Sequence, residues 1–207
     1  GCESERQTDT ETFSISAEQV ALSHALSNGE TDIRAFISSH PVSMPSLRTM
    51  NEWHTADHIS VSYSGVPPQL IRQLLPNDYE LNYQKPIKSL GMVPEKTFNH
   101  LDDIKEAASL AFYRSHGPYT DTRAGIAIEG PYQKMFCGSY IETTADHSGL
   151  NPLSLALGNM IIADQCFKDI KQVQLMVQKS NTEAIIQQTE AILKCVSNTV
   201  LNIDYLE

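Results

Sequence analysis

The chain has 207 residues, 41% apolar and 19% charged, with a formal net charge of −10. That length suits one large domain or two small ones with real cores, and the acidic balance excludes a phosphate-tracking groove of clustered Lys and Arg. No apolar run approaches the roughly 18 residues needed to cross a bilayer, so neither a nucleic-acid partner nor a membrane span is expected.

Residues 1–13 are polar and acidic and read as a loop, or at most an exposed strand end. Ser16 to Gly29 reads as a helix, with Ser16 able to cap its first N–H groups, Glu18 suited to the positive end of the dipole, and Asn28-Gly29 as the stop. Ile33–Ser39 has the length of a buried strand, and His40–Ser46, with prolines at 41 and 45, reads as a loop. Ser46 to Ala56 predicts a helix with Leu47, Met50 and Trp53 on one face, and Ile59–Tyr63 alternates as a strand does. Pro67-Pro68 then reads as the opening of a helix from Gln69 to Leu75.

Turn formers crowd residues 76–100. A second set of elements follows: a helix over Asp102–Ser115, strands over Gly125–Glu129 and Lys134–Tyr140 joined at Gly130-Pro131, a helix over Pro152–Asp164, an alternating strand over Gln172–Gln178, a helix over Thr182–Lys194 and a strand over Thr199–Ile203. Gly1-Cys2-Glu3-Ser4-Glu5 faintly echoes Gly138-Ser139-Tyr140-Ile141-Glu142. The expected class is α/β, with two similar units around mostly parallel sheets.

Cys2, Cys137, Cys166 and Cys195 are widely spaced and form no CxxC pair, so a reducing intracellular compartment is expected, cytoplasm or an organelle matrix. The chain opens at Gly1 with no methionine and no signal-like segment, as a processed or incompletely represented protein does.

Arg114-Ser115-His116-Gly117-Pro118-Tyr119, Ala124-Gly125-Ile126-Ala127 and Gly138-Ser139-Tyr140-Ile141-Glu142 resemble the C-terminal domain of the two-domain, homodimeric cytidine deaminases of bacteria and plants. Ser16-Ala17-Glu18-Gln19, Leu22-Ser23-His24-Ala25 and Asn28-Gly29-Glu30 resemble that family's zinc-ligand helix, and Met50-Asn51-Glu52 the helix after its cysteine loop. The resemblance implies two cytidine-deaminase-like α-β-α sandwich domains, residues 1–78 and 102–207, with a linker over 79–101. By the same resemblance the first domain is incomplete at its start. Such enzymes use a zinc-activated water and a glutamate proton shuttle, with the signature H-x-E and P-C-x-x-C.

Carried over residue by residue, the shuttle falls on Glu18, while the three ligand positions fall on Ser16, Ser43 and Ser46. Zinc takes thiolate, imidazole or carboxylate ligands, so the expected cofactor is none and the expected protein a pseudoenzyme. Glu3 and Glu5 fall on a degenerate ribose site, where Glu3 replaces an amide donor. A structural or protein-interaction subunit follows, with a homodimer, an active paralogue or a larger assembly as partner. Its alternatives are an active cytidine deaminase with a metal held elsewhere, and a nucleoside-binding sensor. On the residues alone Glu18 weighs more as an ordinary helix-start charge than as a catalyst. A replacement metal site at His54 and His58 weighs less than a helix end carrying exposed histidines.

Overall fold

The computed structural model describes residues 15–76, 86–87, 103–143 and 149–206. Helix α1 (Ala17–Ser27) starts at Ser16 in a capping box: Ser16 Oγ accepts from the Gln19 N–H and Gln19 Oε1 accepts from the Ser16 N–H. Gly29, at φ 82°, closes the helix, with its N–H on the Leu26 carbonyl.

The first sheet has the order β1-β2-β3, with β1 (Ala35–Ser38) parallel to β2 (Ser60–Tyr63) and β3 (Val66–Leu70) antiparallel to β2. Three expectations change here. The segment expected as a buried strand shortens to β1, which is at the edge of the sheet among the described residues, with Ile37 82% exposed. Helix α2 (Met44–Met50) begins inside the expected loop, because Ser43 caps it and Pro45 occupies its first turn, where no N–H is needed. Pro67 and Pro68 lie in β3 rather than opening a helix; an edge strand tolerates the missing donors, and the helix contracts to α3 (Ile71–Leu74).

Helix α4 (Ile104–Tyr113), capped by Asp103, precedes the second sheet, whose order is β5-β4-β6-β7. Strands β4 (Ala124–Glu129) and β5 (Met135–Ser139) form the expected hairpin, and β6 (Gln172–Gln178) is parallel to β7 (Leu201–Leu206). However, β4 runs antiparallel to both neighbours, so the sheets are mixed rather than mostly parallel. Helices α5 (Pro152–Ile162) and α6 (Glu183–Val196) share a core with Ile126, Ile128, Val173, Leu175 and Val177. On the opposite face, α4 packs on Ala127, Cys137 and Met176. Covered on both faces, β6 is buried without interruption from Val173 to Val177, which explains its departure from simple alternation.

The expected α/β class holds. The two halves also interlock: Leu22, Leu26, Met50 and Trp53 share one core with Ile141 and Leu155. Ile87, inside the expected linker, is 3% exposed in that core and bridges to Trp53. No helix among the described residues is long and apolar enough to cross a membrane.

Candidate functional site

Two helix starts meet. Ser16, the cap of α1, and Ser43, the cap of α2, both direct their hydroxyls to Ser46: Ser16 Oγ lies 2.9 Å and Ser43 Oγ 2.8 Å from Ser46 Oγ. Ser43 Oγ also accepts from the Ser46 N–H at 3.4 Å. Ser46 is fully buried, Ser16 half-buried and Ser43 exposed, so the cluster runs from the interior to the surface. The three positions on which the resemblance puts zinc ligands are thus brought together from segments 30 residues apart.

Glu18 is half-buried in the first turn of α1, where Ser38 Oγ donates to Glu18 Oε1 at 3.4 Å. Ser38 Oγ in turn accepts from the His40 N–H at 3.3 Å, so the end of β1 and the following turn border the carboxylate. Glu3 and Glu5 lie outside the described residues. His54 Nδ1 lies 3.1 Å from the Ile87 carbonyl, which ties the ring to the core segment.

A second polar group, which the residue pattern did not single out as a site, is buried where the halves meet. Tyr119 Oη donates to Glu52 Oε2 at 2.7 Å, and the Tyr119 and Thr120 N–H groups donate to Glu142 Oε2 at 2.7 and 3.2 Å. Both carboxylates are fully buried, and His116 Nε2 lies 3.5 Å from Glu52 Oε2. Its signal in the sequence was indirect: Glu52 and Glu142 each end a stretch that carries the family resemblance. Burial, reinforced by Glu142 and partly offset by a hydrogen bond from the Gly149 backbone, pushes the Tyr140 phenol up to about 12. Burial also raises the Cys137 thiol, while nearby Arg114 opposes the rise.

The donor chemistry of the serine cluster does not fit zinc. Neutral hydroxyls already engaged with one another are not the thiolate, imidazole or carboxylate set that holds this ion, and the buried Cys137 is held as a thiol. Among the described residues no group of three His, Cys, Asp or Glu side chains gathers to hold a metal ion.

Residues 70–191, more than half of the chain, match the family model of the cytidine and deoxycytidylate deaminase zinc-binding region. The chain is 30% identical over 187 residues to a cytidine deaminase of Photobacterium profundum, covering 88% of this chain and 63% of that protein. To a cytidine deaminase of Cronobacter sakazakii it is 31% identical over 191 residues, covering 91% of this chain and 65% of that protein. It thus spans under two thirds of the length of these relatives. A crystal structure of cytidine deaminase from Burkholderia pseudomallei is similar over 41% of this chain and 70% of that one, at 19% identity and a TM-score of 0.36. These matches correct the expectation of no cofactor: a family defined by a zinc-binding region, with relatives named cytidine deaminase, points to zinc. Serine residues at three carried-over positions argued only about those positions, and Ser16, Ser43 and Ser46 lie outside the matched range. By the match over residues 70–191, the chain belongs to the cytidine and deoxycytidylate deaminase family.

Proposed function

We propose that the chain serves cytidine deamination, the hydrolysis of cytidine to uridine, with Glu18 as the group that moves protons to and from the base. The observation that carries this reading is the convergence of Ser16, Ser43 and Ser46 beside the first turn of α1. Residues distant in sequence meet at one helix start, and the carboxylate of Glu18 stands on the same turn, which supports the reading. A zinc ion, where one is held, would supply such a reaction with an activated water. Since the serine hydroxyls do not fit that ion, the reading requires its ligands to come from outside the cluster. Glu3 and Glu5 belong to the same proposal as acceptors for ribose hydroxyls.

A second reading is favoured by the cluster's chemistry: three hydroxyls satisfied by one another form a structural joint between two helices. The chain then acts as a structural or protein-interaction subunit, in a homodimer, with an active paralogue or in a larger assembly. Glu18 is in that case a helix-start charge.

The deciding experiment measures conversion of cytidine to uridine by the purified protein, with zinc supplied and with a chelator, alongside calorimetric titration with cytidine. Zinc-dependent turnover that falls in Glu18→Gln supports deamination. Absence of turnover from the zinc-supplied protein overturns it. Saturable cytidine binding without turnover identifies a nucleoside sensor, and neither binding nor turnover leaves the subunit.

A further inference from the structure

Helix α1 carries Glu18, yet its far end is fastened mainly by the second half of the chain. Asn159, on α5 and only 8% exposed, bridges two elements with one amide. Its Nδ2 donates to the Cys137 carbonyl on β5 at 2.8 Å, and its Oδ1 lies 3.2 Å from His24 Nδ1 on α1. The carbonyl of Cys137 can only accept, which fixes the orientation of the amide. Oδ1 therefore faces His24 as an acceptor, and the neutral ring must carry its proton on Nδ1. Nearby, Arg114 Nη1 donates to the Ser27 carbonyl at the last turn of α1, where a cation suits the negative end of the helix dipole. Gly158 lets the two helices approach closely: a Cβ there would lie 2.6 Å from Val20 Cγ2, two residues beyond Glu18.

We infer that Asn159 is a positioning residue for α1, setting through His24 the pose in which the helix presents Glu18. What Glu18 does there rests on the deaminase reading; the positioning itself does not. The amide is suited to this role because β5 anchors it from behind. Cys137 sits in a strand paired along its length with β4, so the bridge transmits the position of the second sheet to the helix.

Two full-length variants test the inference. Asn159→Leu removes both hydrogen bonds, and His24→Phe removes only the exposed α1 end of the bridge, leaving β5 and α5 untouched. Nitrogen-detected NMR of the unaltered protein is expected to show His24 as the Nδ1–H tautomer, with the preference lost in Asn159→Leu. In both variants the amides of Val20 to Leu26 are expected to exchange roughly tenfold faster or more, relative to the Val173–Val177 amides of β6. The side-chain carboxyl carbon resonance of Glu18 is expected to move. If cytidine is turned over, kcat falls with little change in KM. Unchanged α1 protection and an unchanged Glu18 resonance in His24→Phe overturn the inference even if Asn159→Leu fails to fold. Loosened α1 in a protein with no turnover upholds it while the deaminase reading fails.

Discussion

The hydroxyl of Tyr119 donates to Glu52 Oε2 at 2.7 Å, while the Tyr119 N–H donates to Glu142 Oε2 at the same distance. One residue of the second half is thereby gripped by buried carboxylates from both halves. Tyr119→Phe keeps the ring and the backbone bond but removes the hydrogen bond to buried Glu52. The expected loss is roughly 1–3 kcal/mol, seen as a lower urea midpoint at unchanged denaturant slope.

Ser46 stands at the centre of the hydroxyl cluster, so Ser46→Ala is expected to cost roughly 1–3 kcal/mol in urea unfolding, for two hydrogen bonds lost at a fully buried position. The triple variant Ser16→His/Ser43→Cys/Ser46→Cys puts an imidazole and two thiols on the same three positions. It is expected to retain one more zinc per chain than the unaltered protein, by metal analysis after dialysis. An equal zinc content in the two proteins would show that the three positions do not converge as described.

Replacement of Gly125 by alanine is expected to be severe. The new Cβ would lie 2.0 Å from the Phe112 nitrogen, and the clash is with the backbone of α4 rather than with a movable side chain. A loss of roughly 3 kcal/mol or more, or failure to fold, should appear in thermal unfolding.

Alkylation should sort the described cysteines by burial. Cys166 and Cys195 are exposed and should react with iodoacetamide in the native protein, whereas Cys137, buried and held as a thiol, should react only after unfolding. Peptide mass mapping before and after denaturation reads the difference.

Alkaline pH should destabilise the fold through Tyr140. Its phenol is pushed up to about 12 in the native state, against about 10 in an unfolded chain. Between those values the folded protein holds more protons than the unfolded one, so stability falls as pH rises through that window. Urea midpoints across the window should decline less in Tyr140→Phe.

Helix α1 was legible because its start and stop are both local: Ser16, Glu18 and Gly29 each act within a turn of their own position. The strand β6 was legible in place but not in burial, because its cover on both faces comes from α4, α5 and α6, distant in sequence. Pro67-Pro68 misled for a related reason. Proline suits a helix start and an edge strand alike, and only the position of β3 at the rim of the sheet decides between them. The hydrogen bonds among Ser16, Ser43 and Ser46 were not legible, since they join segments 30 residues apart through the packing of two helix starts. The Glu52–Tyr119–Glu142 grip was not legible, since it depends on how the halves pack.

The two prolines of β3 also affect how this protein behaves when crowded. Of two consecutive residues in a strand, one turns its N–H outward, so Pro67-Pro68 deletes a donor from that rim and denies a foot-hold to a strand from another molecule. The opposite rim, β1, has no such guard among the described residues and displays Ile37. Among the described residues the edge open to a strand from another molecule is therefore Ala35–Ser38, and a lysine at position 37 should raise the concentration at which extended sheets form.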